Sequence, residues 1–567
     1  IFIKSMSPKI RTVFNGMALI FLIGSWVVAP SGGLADHAQR IINFAFFGAV
    51  VLLFGIETIP IKWMAAWFFS LLAMLFGHST YFHVQLVGFA GILILGIAAH
   101  LGSKLRQESN QLVWFLFAII IASSINSIEG LLQWTGLGDE LWQWMYLPER
   151  RGIAYGIFRQ PNLYATFLNV GIICMLWVVH LRKLTEGMAW IILTLHILGV
   201  ATSGSRTGML EVILLASTGI WLFSYQSKII SRLMLGSIFL LALSLLLLPE
   251  IAKLHGFGFV SSFERVARST QDPRWIIWHN TLEMIWQRPW IGWGWQEFGF
   301  GYYSTKFDYK TSEVMDNAHN LPLQIAAEFG IPIALLFVIS IIWAVYCGRP
   351  WYRVKLKFST DDKFESQRIY AWLILIDIVG LHSMLEYPLW NIGFLFLTGV
   401  ALGYLLPVAT QFFNRKLEHK FIKAMALILI VTALYSWGQY EDVKNVGKTN
   451  FNDKEAQRTS LKYGEHAWLF AGYVELNQLI LDLDSKNSLE VRHRTEKLLH
   501  FSTEPLVIRL LLISLWHLND VQSFQYHATH FCEKFPIAFE HWNKEYIDHP
   551  MTKLVKIQPE KCDIFSD

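Results

Sequence analysis

Residues 316–324, DNAHNLPLQ, set a histidine among an aspartate, two asparagines and a glutamine, where a long polar loop gives way to an apolar run ending near Cys347. A neutral imidazole, with an ordinary pKa of ~6.5, accepts a proton near neutral pH, which makes His319 a candidate general base. Two further stretches suggest a different task. TSGSRTG, residues 202–208, puts Arg206 in a tight turn between two apolar runs, and Arg274 opens the aromatic stretch RWIIWHNTLEM. A guanidinium stays charged and its planar fork matches two oxygens of one phosphate, so both arginines are candidates for holding a phosphate-like anion. Arg265, Arg268 and Arg288 are further cations in the same loop as Arg274, with less around them to single them out. FRQPNLYA, residues 158–165, and LHSMLEYPLW, residues 381–390, add Arg159, Gln160, Asn162, His382, Glu386 and Tyr387. No Cys or His spacing resembles a zinc site, and no metal ligand is assigned.

Membrane-spanning elements must position these residues. Hydrophobic residues make up 54% of the 567 and charged residues only 16%, against about 25% charged in soluble chains. Mean hydropathy is +0.39. This excludes an ordinary soluble domain, and the small net charge of +4 offers nothing to nucleic acid. The expected fold is an all-α polytopic membrane protein. About thirteen apolar runs approach the ~20 residues that a helix needs to cross a bilayer. They lie near 12–29, 41–56, 63–77, 83–99, 111–128, 163–180, 187–203, 208–223, 233–248, 323–346, 369–385, 389–407 and 421–437. The short second and third, joined by ETIPIK, read as tilted or partly re-entrant. Trp26, Trp63, Trp190 and Trp437 sit near run ends, where amphipathic rings favour the headgroup layer.

Basic residues orient the runs, because short cytoplasmic connections retain Lys and Arg. Lys4, Lys9 and Arg11, then Lys62, Lys104 with Arg106, Arg182 with Lys183, Lys228 with Arg232, and the segments 348–368 and 414–423 fall in every second connection. The N-terminus is then cytoplasmic. The outward connections are 129–162, the turn 203–208, the long loop 249–322, the tip 382–388 and everything after Trp437. No cleavable signal peptide is read, and as the chain does not begin with Met a few residues are expected to precede Ile1. Every candidate residue falls on the outward side.

At these residues the chain resembles the bacterial O-oligosaccharyltransferases of the O-antigen ligase superfamily, in their protein-glycosylating branch. RQPN, SGSRTG, PRWIIWHNTLEM with RPWIGWGWQEFG, NAHNLPLQ and LEYPL occur in that family's order and spacing across about 155–400. The resemblance implies an enzyme of the bacterial inner membrane that moves an oligosaccharide from an undecaprenyl-diphosphate carrier to Ser or Thr hydroxyls of pilin or other periplasmic proteins. It implies a metal-free, inverting transfer without a cofactor, in which arginines replace a divalent ion. On that resemblance His319 is the base, Arg206 and Arg274 hold the diphosphate, and Gln160 and Tyr387 orient donor or acceptor. Glu386 is grouped with them as substrate-orienting, and either holds the imidazole tautomer or caps a helix.

Structural explanations stand beside these roles. His319 is otherwise a solvated helix-start residue, Arg206 a snorkelling interfacial cation, Arg274 a loop residue paired with its neighbours, and Tyr387 a belt aromatic. His279, Trp278, Trp293 and Trp295 read as loop packing and interface anchors rather than ligands.

A ligase acting on lipid A core and an O-antigen polymerase share the signatures; LEYPL and the C-terminal region favour a protein acceptor. A transporter or flippase is the reading from another class, but it would carry charges within the spans, and those are almost free of charge here, Asp377 being the main exception. The catalytic domain is expected over 1–437. Residues 438–567 lose the long apolar runs and read as amphipathic helices in a periplasmic, tetratricopeptide-like bundle without a clean repeat, with acceptor docking as its suggested role. Cys532 and Cys562 fall in that region, placed either to form one disulfide or to remain two free thiols.

Overall fold

The computed structural model describes residues 8–546 except 31–33, 58, 77–78, 142–144, 224–226, 269–273, 308–313, 349–362, 407–414, 447–453 and 483–487. The described residues form helices and turns, with no strand among them. Among the described residues, each of the thirteen apolar runs lies mostly on helix. Among the described residues seven helices are long and apolar enough to cross a membrane: Ala35–Phe54, Phe82–Gln107, Ser109–Thr135, Pro161–His180, Glu186–Ser203, Lys228–Leu254 and Lys416–Val443. Most of the other runs are shorter or broken, and the helix Arg206–Phe223, of 18 residues, is not among the seven. The run expected over 323–346 is two helices, Leu321–Phe329 and Ile331–Gly348, parted at Gly330. That over 369–385 ends as α-helix at Leu375 and continues as a π-helical turn, Ile376–Leu381.

The chain divides into two compact units, Ile1–Leu71 with Ala90–Thr270 and Ser340–Leu434, and Leu72–Phe89 with Gln271–Ile339 and Tyr435–Asp567. In the first unit, α1 (Pro8–Gly24) and α2 (Ala35–Phe54) pack as a pair; α3 (Ile61–Phe76) and α4 (Phe82–Gln107) follow in sequence, and α1 also contacts α5 (Ser109–Thr135). The centre is α6 (Pro161–His180), which packs on α5, α7 (Glu186–Ser203) and α8 (Arg206–Phe223). Every residue of α6 from Tyr164 to Val179 is buried, as expected of a helix that packs against neighbours on several sides. Small residues let helices close on one another. Gly399 and Gly403, spaced as GxxxG, face Leu95 and Ala99, and a Cβ at Gly403 would sit 1.8 Å from the Ala99 carbonyl oxygen. α9 (Lys228–Leu254) packs on α7 and α8 and exposes Leu235, Phe239 and Leu246, a stripe that lipid tolerates and water does not.

In the second unit, α10 being Ser262–Arg268 of the first, the long loop supplies α11 (Arg274–Gln287), α12 (Phe298–Ser304) and α13 (Leu321–Phe329). Ile277, Met284, Phe298, Tyr302, Met315, Ala318 and Ala327 form one core there. The C-terminal residues fold as helices that pack each on the next in sequence, among them Ser488–Leu498, Pro505–His517, Val521–Lys534 and Pro536–Tyr546. Their core is Leu498, Val507, Leu511, Leu515, Phe524, Phe531 and Trp542. Cys532 in that core is disulfide-bonded; Cys562 lies outside the described residues. Cys174 is buried and free.

Candidate active site

Of the six residues singled out in the sequence, Gln160, Arg206, Glu386 and Tyr387 belong to the first unit, and Arg274 and His319 to the second. In the first, three connections are tied by one side chain. α7 ends at Ser203, Gly204 takes the left-handed conformation (φ +61°) that glycine adopts without strain, and Ser205 starts α8 by accepting from Gly208 N (2.9 Å). Arg206 is therefore the first residue of α8, half-buried at a helix N-terminus. Gln160 is the extended residue before Pro161, which starts α6. Asn162 then joins all three segments, since its Oδ1 accepts from Ser205 Oγ (2.6 Å) and its Nδ2 donates to Glu386 Oε1 (3.0 Å). Glu386 is thus engaged with the start of α6. Tyr387 is half-buried, its ring 5.3 Å from that of Trp390.

Beneath this lies a buried polar knot that reading the spans as almost charge-free did not anticipate. Glu211, fully buried in α8, accepts from Thr166 Oγ1 (2.7 Å) and Asn169 Nδ2 (2.8 Å). Thr166 Oγ1 is also hydrogen-bonded with His382 Nδ1 (2.5 Å), which lies 3.4 Å from Glu211 Oε1. Asp377, also fully buried, is within electrostatic reach of Glu211. Asn162, Thr166 and Asn169 stand at i, i+4 and i+7, so they share one face of α6. That spacing, with a glutamate five residues after Arg206, was the available signal. Buried polar groups are costly unless hydrogen-bonded, so this face holds α6, α8 and the 376–384 turns in one register.

Arg206 does not act alone. Arg265 of α10 lies against the same turn, its Cζ 3.6 Å from where a Cβ on Gly204 would stand. Partial desolvation and the charges of Arg206 and Arg150 pull the Arg265 guanidinium below its ordinary value, although its side chain stays solvent-accessible. Arg206 and Arg265 at one helix N-terminus, with the charge of Arg150 felt by Arg265, make a field that favours an anion. Arg150 was not singled out in the sequence, because nothing periodic marks a lone loop cation. The side chain of Arg268 lies outside the described residues.

In the second unit, Asn320 caps α13 by accepting from Leu323 N (3.1 Å), with Pro322 in the first turn. His319 precedes the cap, half-buried, in the left-handed conformation at φ +48°. A side chain there costs ~1–3 kcal/mol and persists only when its surroundings dictate it. They do: His319 N donates to Asn317 Oδ1 (3.0 Å), Ala318 N to Gln324 Oε1 (2.7 Å), and Asn317 Nδ2 to Asp316 Oδ1 (2.6 Å). The polar residues of DNAHNLPLQ are therefore used to shape the backbone around the histidine. Arg274 begins α11, half-buried. Arg288 is stacked over Trp293 at 4.1 Å, and Trp293 and Trp295 donate to the carbonyls of Met284 and Val84, as loop packing would have them. His279 is exposed, 3.1 Å from Glu283. Among the described residues no three His, Cys, Asp or Glu side chains are grouped to hold a metal.

Comparison with known proteins matches residues 189–338 to the family described as O-Antigen ligase, and 154–177 to Protein glycosylation ligase. Residues 369–546 match the family described as Virulence factor membrane-bound polymerase, C-terminal. A General O-oligosaccharyltransferase of Acinetobacter baylyi is 26% identical over 451 residues, covering 74% of this chain and 76% of its own. A ComP-specific O-oligosaccharyltransferase of the same bacterium is 22% identical over 423 residues, 71% of this chain and 72% of its own.

Proposed function

Because the chain is an O-oligosaccharyltransferase-type member of the O-antigen ligase superfamily, we propose that it moves an oligosaccharide from undecaprenyl diphosphate to Ser or Thr hydroxyls of a periplasmic protein such as pilin. It is a multi-pass membrane enzyme of glycosyltransferase type. In the proposed step the acceptor oxygen attacks the anomeric carbon from the face opposite the diphosphate, inverting that centre. His319 takes the hydroxyl proton, the bond from sugar to diphosphate breaks, and the departing charge is held by Arg206 with Arg265 and Arg274. Gln160 and Tyr387 orient the substrates, and Glu386 orients the start of α6 through Asn162. The observation that carries this reading is Arg206 at the start of α8 with the Arg265 guanidinium against the same turn, and the charge of Arg150 within electrostatic reach of Arg265. A cation cluster of this kind is what a lipid diphosphate needs as a leaving group, without a divalent ion.

The test is transfer by the purified full-length protein, given lipid-linked oligosaccharide and an acceptor protein. Glycosylated acceptor should form at the same rate with and without EDTA; loss of transfer on chelation would replace the arginine reading with a metal one. The match over 369–546 to a polymerase family favours a second reading, in which the acceptor is another saccharide. Elongation of the lipid-linked glycan, with the acceptor protein unmodified, would select it.

The proposed topology has about thirteen crossings of the inner membrane, an inward N-terminus, and an outward 1–437 active face and 438–567 tetratricopeptide-like domain. Alkaline phosphatase fused after Ser205, within 249–320 or after Gln439 should be active, and fusions in 349–368 inactive. Activity in 349–368 would reverse the orientation.

A further inference from the structure

Helix α12 has two loyalties. Phe298 and Tyr302, one turn apart, are buried in the core that contains Met315 and Ala318. Tyr303 is buried in the core of the C-terminal helices, and Phe300 packs against that core. Lys534 of the C-terminal helices sits over the rings of Tyr302 (4.7 Å) and Phe307 (3.8 Å), and the Tyr303 hydroxyl is 2.9 Å from His527 Nδ1.

The residue before α12 is tied more firmly still. Glu297 is buried; its Oε1 accepts from Thr80 N (3.2 Å) and Thr80 Oγ1 (2.9 Å), and its Oε2 accepts from His500 Nδ1 (2.7 Å). The His500 ring is also stacked on Phe300, centroids 3.8 Å apart. From Glu297 the hydrogen bonding continues towards His319. Gln296 N donates to Glu328 Oε1 (3.1 Å), Gln324 Nε2 donates to the same oxygen (2.9 Å), and Gln324 Oε1 receives Ala318 N, the amide beside His319. Trp293 N and Gly294 N also pair with the carbonyls of Ala327 and Glu328 (2.8 and 2.9 Å).

We propose that the C-terminal helices are the scaffold of the His319 loop, with Glu297 and His500 as the positioning pair that anchors α12 and, through it, the strained 315–324 backbone. This rests on the reading of His319 as the base. It gives the C-terminal domain a part in the transfer step itself, whether or not it also meets the acceptor protein. The physical need is clear from the left-handed His319. A backbone in that conformation relaxes unless it is held from more than one side, and the C-terminal layer supplies one of those sides.

The test uses the full-length protein with His500→Phe, which keeps the ring stacked on Phe300 and removes only the donor to Glu297, and with His500→Gln, which restores a donor. Amide hydrogen exchange of peptides covering 314–324 is read beside kcat and KM with lipid-linked oligosaccharide and an acceptor protein. Loss of a hydrogen bond to a buried carboxylate should speed exchange at 314–324 and lower kcat by about tenfold each, with both KM values unchanged. His500→Gln should recover both. Exchange at 314–324 that is unmoved in His500→Phe, or equal loss in both variants, would overturn the scaffold. If His500→Phe loosens 314–324 and His500→Gln restores it while a variant lacking the His319 imidazole still transfers at full rate, the scaffold stands and the assignment of the base falls.

Discussion

His319→Ala is expected to lower glycan transfer by roughly 10²- to 10⁴-fold, the range general-base assistance contributes, with the protein still in the membrane at normal abundance. Alanine alone leaves an ambiguity, because residue 319 sits at φ +48° and any change there also alters the backbone. His319→Asn removes it. Asparagine visits the left-handed region readily, so this variant keeps the loop geometry and removes only the imidazole. If the imidazole takes the acceptor proton, Asn and Ala are equally inactive. Near-normal transfer by His319→Asn, measured with purified enzyme and lipid-linked donor, would mean that the position serves the loop and that the base lies elsewhere.

Arg206→Lys is expected to cut transfer by about 10- to 100-fold despite keeping its charge, since losing a bidentate, charge-assisted contact costs ~1.5–3 kcal/mol. Arg265→Lys should cost less, because its side chain is solvent-accessible where Arg206 is half-buried. The double variant should fall short of the product of the two single effects, as residues sharing one anion are not independent. Full transfer by Arg206→Lys would return this residue to the role of an interfacial cation.

Much of this molecule was legible in its sequence wherever the deciding interaction is local. Helix breaks and starts need partners within about four residues. Pro161 after an extended Gln160, Gly204 followed by Ser205, and Asn320 before Leu321 and Pro322 all end or begin helices where their types require. The solvent was equally local information, because apolar runs of bilayer length record it directly. The candidate residues could be singled out because their chemistry stood out in polar turns of an apolar chain.

What the tertiary structure decided is who meets whom. Asn162 and Glu386 are 224 positions apart, and Glu211 with His382 depends on two helices and a π-helical turn arriving together. No periodicity records such pairs, so Glu211 passed as part of an apolar helix and Arg265 as one loop cation among several. The same holds for the His319 backbone. Its left-handed conformation is not a preference of histidine; it is imposed by Asn317, by Gln324 and by the packing of α12 on either side. Strain of that kind exists only when distant segments overrule a local preference, which is why it had to be seen in the folded chain.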